Sequence, residues 1–499
     1  MLDLDDAAPS IAKNATYTFE ISCNRLQVSH CATCLGILCR DVDLRRRCDV
    51  DEPRSRPHFK ASRTSNRRQT LKTMVAFSSQ VVLFYLSAAA AGAMDDTNPG
   101  TFNLQPFKVD LSARFARLRR VVANTRLPDV ELYPGNGQDK GVPLASLREW
   151  KDEWVGRYDW DEEQGKLNAL DHFTATIEDL KIHFIHQKAK AKNAVPIILL
   201  HGWPGSFHEF LPVIEPLTKP ASVAVAFDVV IPSLPGFVFS AAPKTQNWTV
   251  VDTARVFHTL MTEVLGYDKY TLHGTDWGST IGYTMYTTYG TSILGANFPF
   301  LPFFPPSRAE LAANSITLLP AQETALQRSE DWGASGMDYL NMLTHKPNDL
   351  GYALYDNPLG QLALIGGKLL LWSQPPPSPF LPAGKSSNTS LLTAISLYAL
   401  TDSVISAGWI YAANPTSLRS VYAYEGLGSV EDAPPMVFSH FQFNLAVWPE
   451  EYVSKVGRLV AYRVHETGGH FPGLDNPTGV VEDIRELATF FYSNPTSLA

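Results

Sequence analysis

The motif Gly274-Thr275-Asp276-Trp277-Gly278 contains the residue with the clearest chemical potential in this sequence. It stands between the apolar run Tyr270–His273 and a stretch of helical character, Ser279–Tyr289. A carboxylate on a sharp strand-to-helix turn is exposed and can attack a substrate, and flanking glycines permit the strained backbone of such a turn. Because this short pattern also occurs in ordinary loops, the assignment of Asp276 as a covalent nucleophile depends on the residues around it.

A second turn, His201-Gly202-Trp203-Pro204, follows the apolar run Val195–Leu200 and begins 75 residues before Asp276. Backbone N–H groups at the end of a strand can stabilise negative charge on a reacting oxygen. We expect one such donor from Trp203 and one from Trp277, the residue after the nucleophile. The side chain of His201 itself could serve only to cap the loop.

His470 is the predicted general base, because two preceding glycines expose it on a tight turn after the strand-like run Leu459–Val464. A histidine taken at random from the 13 in the chain would more often be a surface or packing residue. The position of His470 near the C-terminus fits the chain order nucleophile, acid, histidine. In a two-step reaction it would activate the water that hydrolyses an ester on Asp276.

These turns require a parallel sheet to position them. Between residues 191 and 300, short apolar runs alternate with glycine-rich turns and helical stretches, which is typical of β-α units. The alternation resumes after residue 431 and ends in the helix Val480–Tyr492. The sequence therefore predicts an α/β fold, with a mostly parallel sheet flanked by helices, whose core is formed by residues 191–300 and 431–499.

Two further segments adjoin this core. Residues 301–430 combine proline clusters with aromatic helical stretches, which predicts a helical cap over the sheet. Residues 100–190 contain helical patterns from about Leu111 and around Trp150, followed by a turn into a strand at Ile177–Ile185. We interpret them as an N-terminal lobe.

The composition limits the class of partner. The chain has 499 residues, of which 45% are hydrophobic and 18% charged, with a formal net charge of −8. Such a chain can bury a sizeable core, and its acidic balance gives little electrostatic support for a nucleic-acid partner. A small apolar or uncharged ligand is the expected partner.

The first 93 residues differ from the rest. All five cysteines lie in residues 1–73. The pair Cys31-Ala-Thr-Cys34 lacks the second ligand pair of a zinc site, so we expect no metal there. We interpret residues 1–73 as a basic disordered leader or a gene-model artefact. Residues 74–93 are apolar and end in Ala91-Gly92-Ala93, which predicts a signal peptide starting at Met74 or a membrane anchor. Either alternative directs the protein to a secreted or endomembrane location.

From Pro106 to Tyr492 the sequence resembles the microsomal-type epoxide hydrolases. The motifs that carry this resemblance are Pro106-Phe-Lys-Val109, Thr125-Arg-Leu-Pro128, Tyr158-Asp-Trp160, His201-Gly-Trp-Pro204, Pro232-Ser-Leu-Pro-Gly236, Gly274-Thr-Asp-Trp-Gly278 and Gly468-Gly-His470. The resemblance implies an α/β-hydrolase fold with a helical cap and an N-terminal epoxide hydrolase lobe. It also implies conversion of a small apolar epoxide and water to a vicinal diol through an aspartyl ester, without a cofactor, in detoxification or aromatic hydrocarbon catabolism.

The resemblance further implies that two cap tyrosines hold the epoxide oxygen and donate a proton as the ring opens. The first is Tyr339, which lies in Gly336-Met-Asp-Tyr339. The second falls in Arg419-Ser-Val-Tyr422-Ala-Tyr424-Glu425, where the spacing exceeds that of the family by about two residues. We favour Tyr422, with Tyr424 as the alternative proton donor.

The sequence departs from the family at Asn444, where the charge-relay acid is expected. An asparagine can orient His470 but carries no charge to stabilise the protonated imidazole, although cysteine proteases use a Cys-His-Asn arrangement. Either Asn444 suffices, or Glu450, Glu451 or Asp432 supplies the charge.

Two other functions remain open on the sequence alone. A dehalogenase would use the same aspartate and histidine but needs side chains that hold a halide in place of the tyrosines. A binding protein with impaired catalysis is the second alternative, because Asn444 replaces the acid of the triad.

Overall fold

The computed structural model of the chain describes residues 102–135, 140–220, 225–376, 388–416 and 432–492. The leader 1–73, the apolar segment 74–93 and the tyrosines Tyr422 and Tyr424 lie outside these residues. The predictions made for them therefore stay predictions.

A nine-stranded sheet forms the centre of the described chain, in the order β1-β2-β3-β5-β4-β6-β7-β8-β9. The strands are β1 (Gln105–Phe107), β2 (His172–Ile177), β3 (Leu180–Gln187), β4 (Val195–Leu200), β5 (Phe227–Pro232), β6 (Tyr270–Gly274), β7 (Ile293–Phe298), β8 (Pro435–Phe443) and β9 (Arg458–Gly469). The first three strands and the β3–β5 pair are antiparallel, whereas β5, β4 and β6 to β9 run parallel. The N-terminal lobe thus contributes strands to the same sheet.

Helices cover the sheet and build the cap between β7 and β8. They are α1 (Ser112–Asn124), α2 (Leu144–Gly156), α3 (Trp160–Leu167), α4 (Leu211–Thr218), α5 (Val250–Thr259), α6 (Asp276–Thr288), α7 (Arg308–Ala313), α8 (Pro320–Asp331), α9 (Asp338–His345), α10 (Pro347–Leu354), α11 (Pro358–Gln361), α12 (Gly367–Trp372), α13 (Thr389–Leu400), α14 (Val404–Ala413), α15 (Glu450–Val453), α16 (Pro472–Asp475) and α17 (Pro477–Tyr492). The α/β-hydrolase fold predicted from the sequence is confirmed.

Several predicted elements form with small shifts of their ends. The strands predicted at Val195–Leu200, Phe227–Ile231 and Tyr270–His273 form, because these apolar runs are buried on both faces of the sheet. The strand after Leu459 is longer than expected and extends to Gly469, so His470 follows the strand directly. The helix expected from Ser279 begins three residues earlier, at Asp276 itself.

Sheet register brings the chemical residues together. Strands β4 and β6 are parallel neighbours with Leu200 opposite Gly274, so the loop after β4 lies beside the turn that contains Asp276. Strands β8 and β9 are also parallel, with Phe443 opposite Gly469. Since the carboxyl ends of parallel strands lie at one edge of a sheet, four loops meet at a single site.

Within the part of the chain that the structure describes, no single helix is long and apolar enough to cross a membrane. Helices α13 and α14 reach the required length and apolar composition only when taken together, and the chain bends by 84° between them.

Candidate active site

The turn at Asp276 is strained and very closely packed. Asp276 has a backbone φ of 48°, a left-handed value that is uncommon for a residue with a side chain. A Cβ atom on Gly274 would lie 2.4 Å from the carbonyl oxygen of Gly278, and one on Gly278 would lie 2.0 Å from that of Leu200. Both glycines are therefore required for the turn that presents the carboxylate.

The two carboxylate oxygens of Asp276 have different partners. The backbone N–H of Trp203 donates to Oδ1 at 2.8 Å, and Nε2 of His470 lies 3.2 Å from Oδ2. The approach of Oδ1 depends on Gly202, where a Cβ would lie only 2.1 Å from that oxygen. The donor predicted at Trp203 is thus placed on the carboxylate, while a donor role for the N–H of Trp277 stays a prediction.

His470 is oriented by Asn444. Nδ1 of His470 lies 3.0 Å from Oδ1 of Asn444, whose side-chain amide donates to the carbonyl oxygen of Pro299 at 2.9 Å. Because only the amide nitrogen of Asn444 can donate to Pro299, the amide atom that faces His470 is the oxygen, which can only accept. Nδ1 of His470 must therefore carry a proton. The contact of Nε2 with Oδ2 of Asp276 is a hydrogen bond only when both ring nitrogens carry a proton, and in the neutral ring Nε2 has the lone pair that a general base needs.

The alternative acids proposed from the sequence lie at the surface. Glu450 and Glu451 are exposed in the short helix α15, and Asp432 is exposed before β8. Among the hydrogen bonds of the described residues, the partner of Nδ1 in His470 is Asn444.

Tyr339 is buried at the wall of the site and meets a second phenol that sequence reasoning missed. Its ring stacks on Trp203 with centroids 5.0 Å apart and contacts the ring of Tyr411 edge-on at 5.8 Å. The hydroxyl groups of Tyr339 and Tyr411 interact electrostatically, and the interaction with Tyr339 raises the pKa of Tyr411. Tyr411 also packs edge-on against Trp277 at 5.0 Å.

The signal for Tyr411 in the sequence is weak but present. It lies in α14, whose residues Val404–Ala413 contain no charged residue, and a buried phenol hydroxyl in such a helix needs a polar partner. The favoured Tyr422 and its alternative Tyr424 follow this helix, outside the described residues.

Both phenols hold their protons strongly while Asp276 is ionised. Burial raises the pKa of Tyr339, and the negative charge of Asp276 raises it further. Burial also raises the pKa of Tyr411, with Tyr339 and Asp276 as additional causes. Two protonated phenols therefore lie near a carboxylate, an arrangement suited to donating protons to an oxygen that gains negative charge.

Comparisons with known proteins agree with this geometry. A family model described as the epoxide hydrolase N terminus matches residues 104–210, and one described as the alpha/beta hydrolase fold matches residues 195–298. A Stigmatella aurantiaca protein assigned as an epoxide hydrolase is 33% identical over 391 residues, or 77% of this chain and 84% of that relative. The chain belongs to the epoxide hydrolase family.

Further relatives and solved structures support the family over most of the chain. Epoxide hydrolase 1 of Sus scrofa is 29% identical over 416 residues, which cover 77% of this chain and 88% of that relative. The structure of Aspergillus niger epoxide hydrolase superimposes with a TM-score of 0.68 at 27% identity, covering 78% of this chain and 97% of that one. The crystal structure of juvenile hormone epoxide hydrolase from Bombyx mori superimposes with a TM-score of 0.69 at 26% identity, covering 79% of this chain and 95% of that one.

The active-site cavity of this epoxide hydrolase has a volume of about 180 Å³ and is mostly aromatic. Asp276, His470, Tyr339 and Tyr411 all line it. Its aromatic walls include Trp277, Phe300, Phe303, Trp332, Trp372 and Trp448. An apolar substrate is expected in such a cavity, and no group of residues that could hold a metal ion occurs in the described chain.

Glu209 is a second residue that the sequence analysis missed. It is buried below the nucleophile turn, where Oγ1 of Thr275 donates to its Oε1 at 2.6 Å. Burial raises the pKa of Glu209 to about 8, and the charge of Asp276 also raises it. The sequence signal is a carboxylate in the largely apolar segment Phe207–Leu211, where a charged residue needs a specific partner.

His201 has the structural role that its loop position allowed. Its Nε2 accepts the backbone N–H of Leu234 at 3.1 Å, which ties the loop after β4 to the loop after β5. Burial lowers the pKa of His201 to about 4, so the ring is neutral. His201 holds the loop of Trp203 rather than exchanging protons with a substrate.

Proposed function

We propose that this member of the family opens an epoxide to a vicinal diol through a covalent ester on Asp276. The observation that carries the proposal is that one aromatic cavity is lined by the carboxylate, the imidazole and two protonated phenols. Each step of a two-step hydrolysis has a group in place.

In the first step, Oδ2 of Asp276 attacks an oxirane carbon while Oδ1 keeps its bond to the N–H of Trp203. The carbon–oxygen bond of the ring breaks, and the departing oxygen takes a proton from Tyr339 or Tyr411. Attack removes the negative charge of Asp276, which was one cause of the raised phenol pKa values. The phenols therefore become better acids as the substrate oxygen becomes a stronger base.

In the second step, His470 takes a proton from water, and the hydroxide attacks the ester carbonyl carbon. Negative charge then develops on Oδ1, where the N–H of Trp203 stabilises it. The ester bond breaks, His470 protonates the departing diol oxygen, and the regenerated carboxyl group returns its proton to the phenol. The carboxylate keeps one oxygen atom from water.

Single turnover in ¹⁸O-labelled water tests the ester directly, with enzyme in excess over an aryl or alkyl epoxide. We expect the label in Asp276 after the first turnover and unlabelled diol. Asp276→Ala should form neither adduct nor diol, because the carboxylate is the group that becomes esterified. Label in the diol from the first turnover would refute covalent catalysis.

The phenol pair distinguishes this function from that of a dehalogenase, which has to hold a halide ion. The rings of Tyr339 and Tyr411 lie 5.8 Å apart and both line the cavity, so the two hydroxyl groups can both donate to one oxygen. Release of halide from a haloalkane, with epoxides inert, would favour the dehalogenase instead.

For the cellular location, we propose that residues 74–93 direct the chain to the secretory pathway or anchor it to an internal membrane. The apolar composition and the Ala91-Gly92-Ala93 sequence support this. N-terminal sequencing of the native protein should begin near Met94 for a cleaved peptide, whereas retention of Met1 would contradict cleavage.

A further inference from the structure

Lys368 lies behind the phenol wall of the site. It is the second residue of α12, the helix that also contributes Trp372 to the cavity. Its Nζ is 4.9 Å from the ring centroid of Tyr339 and 5.9 Å from that of Trp372. An ammonium group at this distance over an aromatic ring is attracted by the negative face of the ring.

The charge of Lys368 is only weakly compensated in the described structure. No ion pair of Lys368 with a carboxylate occurs among the described residues, and Asp338 is the one acid that acts on it electrostatically there. Burial lowers the pKa of Lys368, and Asp338 opposes that effect. The groups that face the ammonium are therefore Asp338, the ring of Tyr339 and the ring of Trp372.

We propose that Lys368 is a positioning residue for ring opening, whose ammonium on the face of Tyr339 stabilises the negative charge that the phenol acquires as it donates its proton. The ring of a neutral phenol attracts the cation through its quadrupole alone, whereas a ring that gains phenolate character attracts it as a charge. The stabilisation is thus greater in the transition state than in the resting enzyme, which is the condition for accelerating a step.

This inference rests on the proposed function and adds a step-specific consequence. Ring opening creates charge on Tyr339, but the attack of water on the ester uses His470 and the N–H of Trp203. Loss of the Lys368 charge should therefore slow alkylation of Asp276 and leave ester hydrolysis nearly unchanged. A residue that served only to pack α12 would affect both steps or neither.

The experiment compares Lys368→Met, which keeps the length of the side chain, with Lys368→Arg, which keeps the charge. Rapid-mix intact-mass spectrometry with excess styrene oxide follows formation and decay of the ester. We expect alkylation by Lys368→Met to be roughly 3- to 30-fold slower, in keeping with a partly buried cation–π contact, and ester decay within about 2-fold of the unmodified enzyme. Lys368→Arg should recover most of the alkylation rate.

The pH profile supplies a readout that a packing role would not affect. Because the pKa of Lys368 is lowered and that of Tyr339 is raised, alkylation by the unmodified enzyme should decline at alkaline pH as Lys368 loses its proton. This decline should be absent in Lys368→Met and should move to higher pH in Lys368→Arg.

Lys455 provides a matched control, because its Nζ lies 4.8 Å from the ring of Tyr452, outside the cavity lining. Lys455→Met should leave both rates unchanged. Equal slowing of both steps in Lys368→Met, or an alkylation rate unaltered by it, would overturn the inference. If the unmodified enzyme forms no ester at all, the proposed function fails instead, so the two failures can be told apart.

Discussion

Asn444→Asp tests whether the missing charge limits the second step. In the present arrangement the amide of Asn444 accepts from His470 and donates to Pro299, so it satisfies both neighbours without a charge. Among the described residues, the partner of Nδ1 is the uncharged Asn444, so no carboxylate there is bonded to the imidazolium that forms when His470 takes a proton from water. We expect ester hydrolysis to be slower than ring opening, and the ester to accumulate.

The size of the effect follows from two opposing contributions. A carboxylate about 4 Å from the centre of an imidazolium attracts it by roughly 4 kcal/mol at an effective dielectric constant of about 20. The same substitution removes the donor to Pro299 and leaves two acceptor oxygens facing each other, at a penalty of about 1–3 kcal/mol. The remaining 1–3 kcal/mol or so corresponds to ester hydrolysis faster by roughly 5- to 150-fold.

Rapid-mix mass spectrometry of the intact protein measures the fraction of esterified enzyme during turnover, and this fraction should fall in Asn444→Asp. Asn297 is the matched control, because it accepts from His273 and donates to the carbonyl of Val437 outside the cavity. Asn297→Asp should have a similar penalty in stability without faster ester decay. If no esterified enzyme is detected during turnover and Asn444→Asp hydrolyses the epoxide more slowly, the lack of charge at this position does not limit hydrolysis.

Three other predictions use the same assays or simple unfolding experiments. Tyr411→Phe should slow alkylation by about 10- to 100-fold because its phenol lines the cavity, whereas slowing by Tyr422→Phe alone would favour the expectation from the sequence. The pKa of Glu209 is about 8 in the folded chain, so at pH values above the lower pKa of the unfolded chain its carboxyl group destabilises the fold. Glu209→Gln, which mimics a protonated carboxyl group, should therefore raise the free energy of unfolding at pH 7 by about 3 kcal/mol, measured by denaturant unfolding. Unchanged stability would contradict the burial of Glu209 as an acid. Burial lowers the pKa of His208 to about 4, so the neutral ring contributes stability that is lost as pH falls below about 6.5, where the unfolded chain takes up a proton. Between pH 7 and 5, the free energy of unfolding of His208→Leu should therefore fall by about 2 kcal/mol less than that of the unmodified chain. Equal losses in the two chains would refute this.

The sequence predicted those features that depend on local pattern. The strand–turn–helix at Asp276 was predictable because it needs glycine at two fixed positions, where an added Cβ would lie less than 3 Å from a backbone carbonyl oxygen. Trp203 and His470 followed from turns after the strands β4 and β9, whose carboxyl ends lie at the same edge of the sheet. Asn444 was assigned through the resemblance to the family, and its contact with His470 is now described.

The second phenol and the buried acid were not predictable in the same way. Tyr411 reaches Tyr339 only because α9 and α14 pack together in the cap, a contact between residues 72 positions apart in sequence. No short motif marks such a contact, and the assignment of Tyr422 in the following segment stays a prediction. Glu209 resembles any exposed glutamate until the fold buries it against Thr275.

The charge of Asp276 links the parts of the site that the sequence could not connect. Burial is the main cause of the raised pKa values of Tyr339, Tyr411 and Glu209, and the charge of Asp276 raises all three further. In the proposed mechanism, alkylation removes this charge within a single step, because the ester is neutral. The phenols then need less free energy to lose a proton at the moment when the substrate oxygen gains one. In the proposed mechanism, the loss of this secondary contribution to the phenol pKa values therefore coincides with proton donation during ring opening.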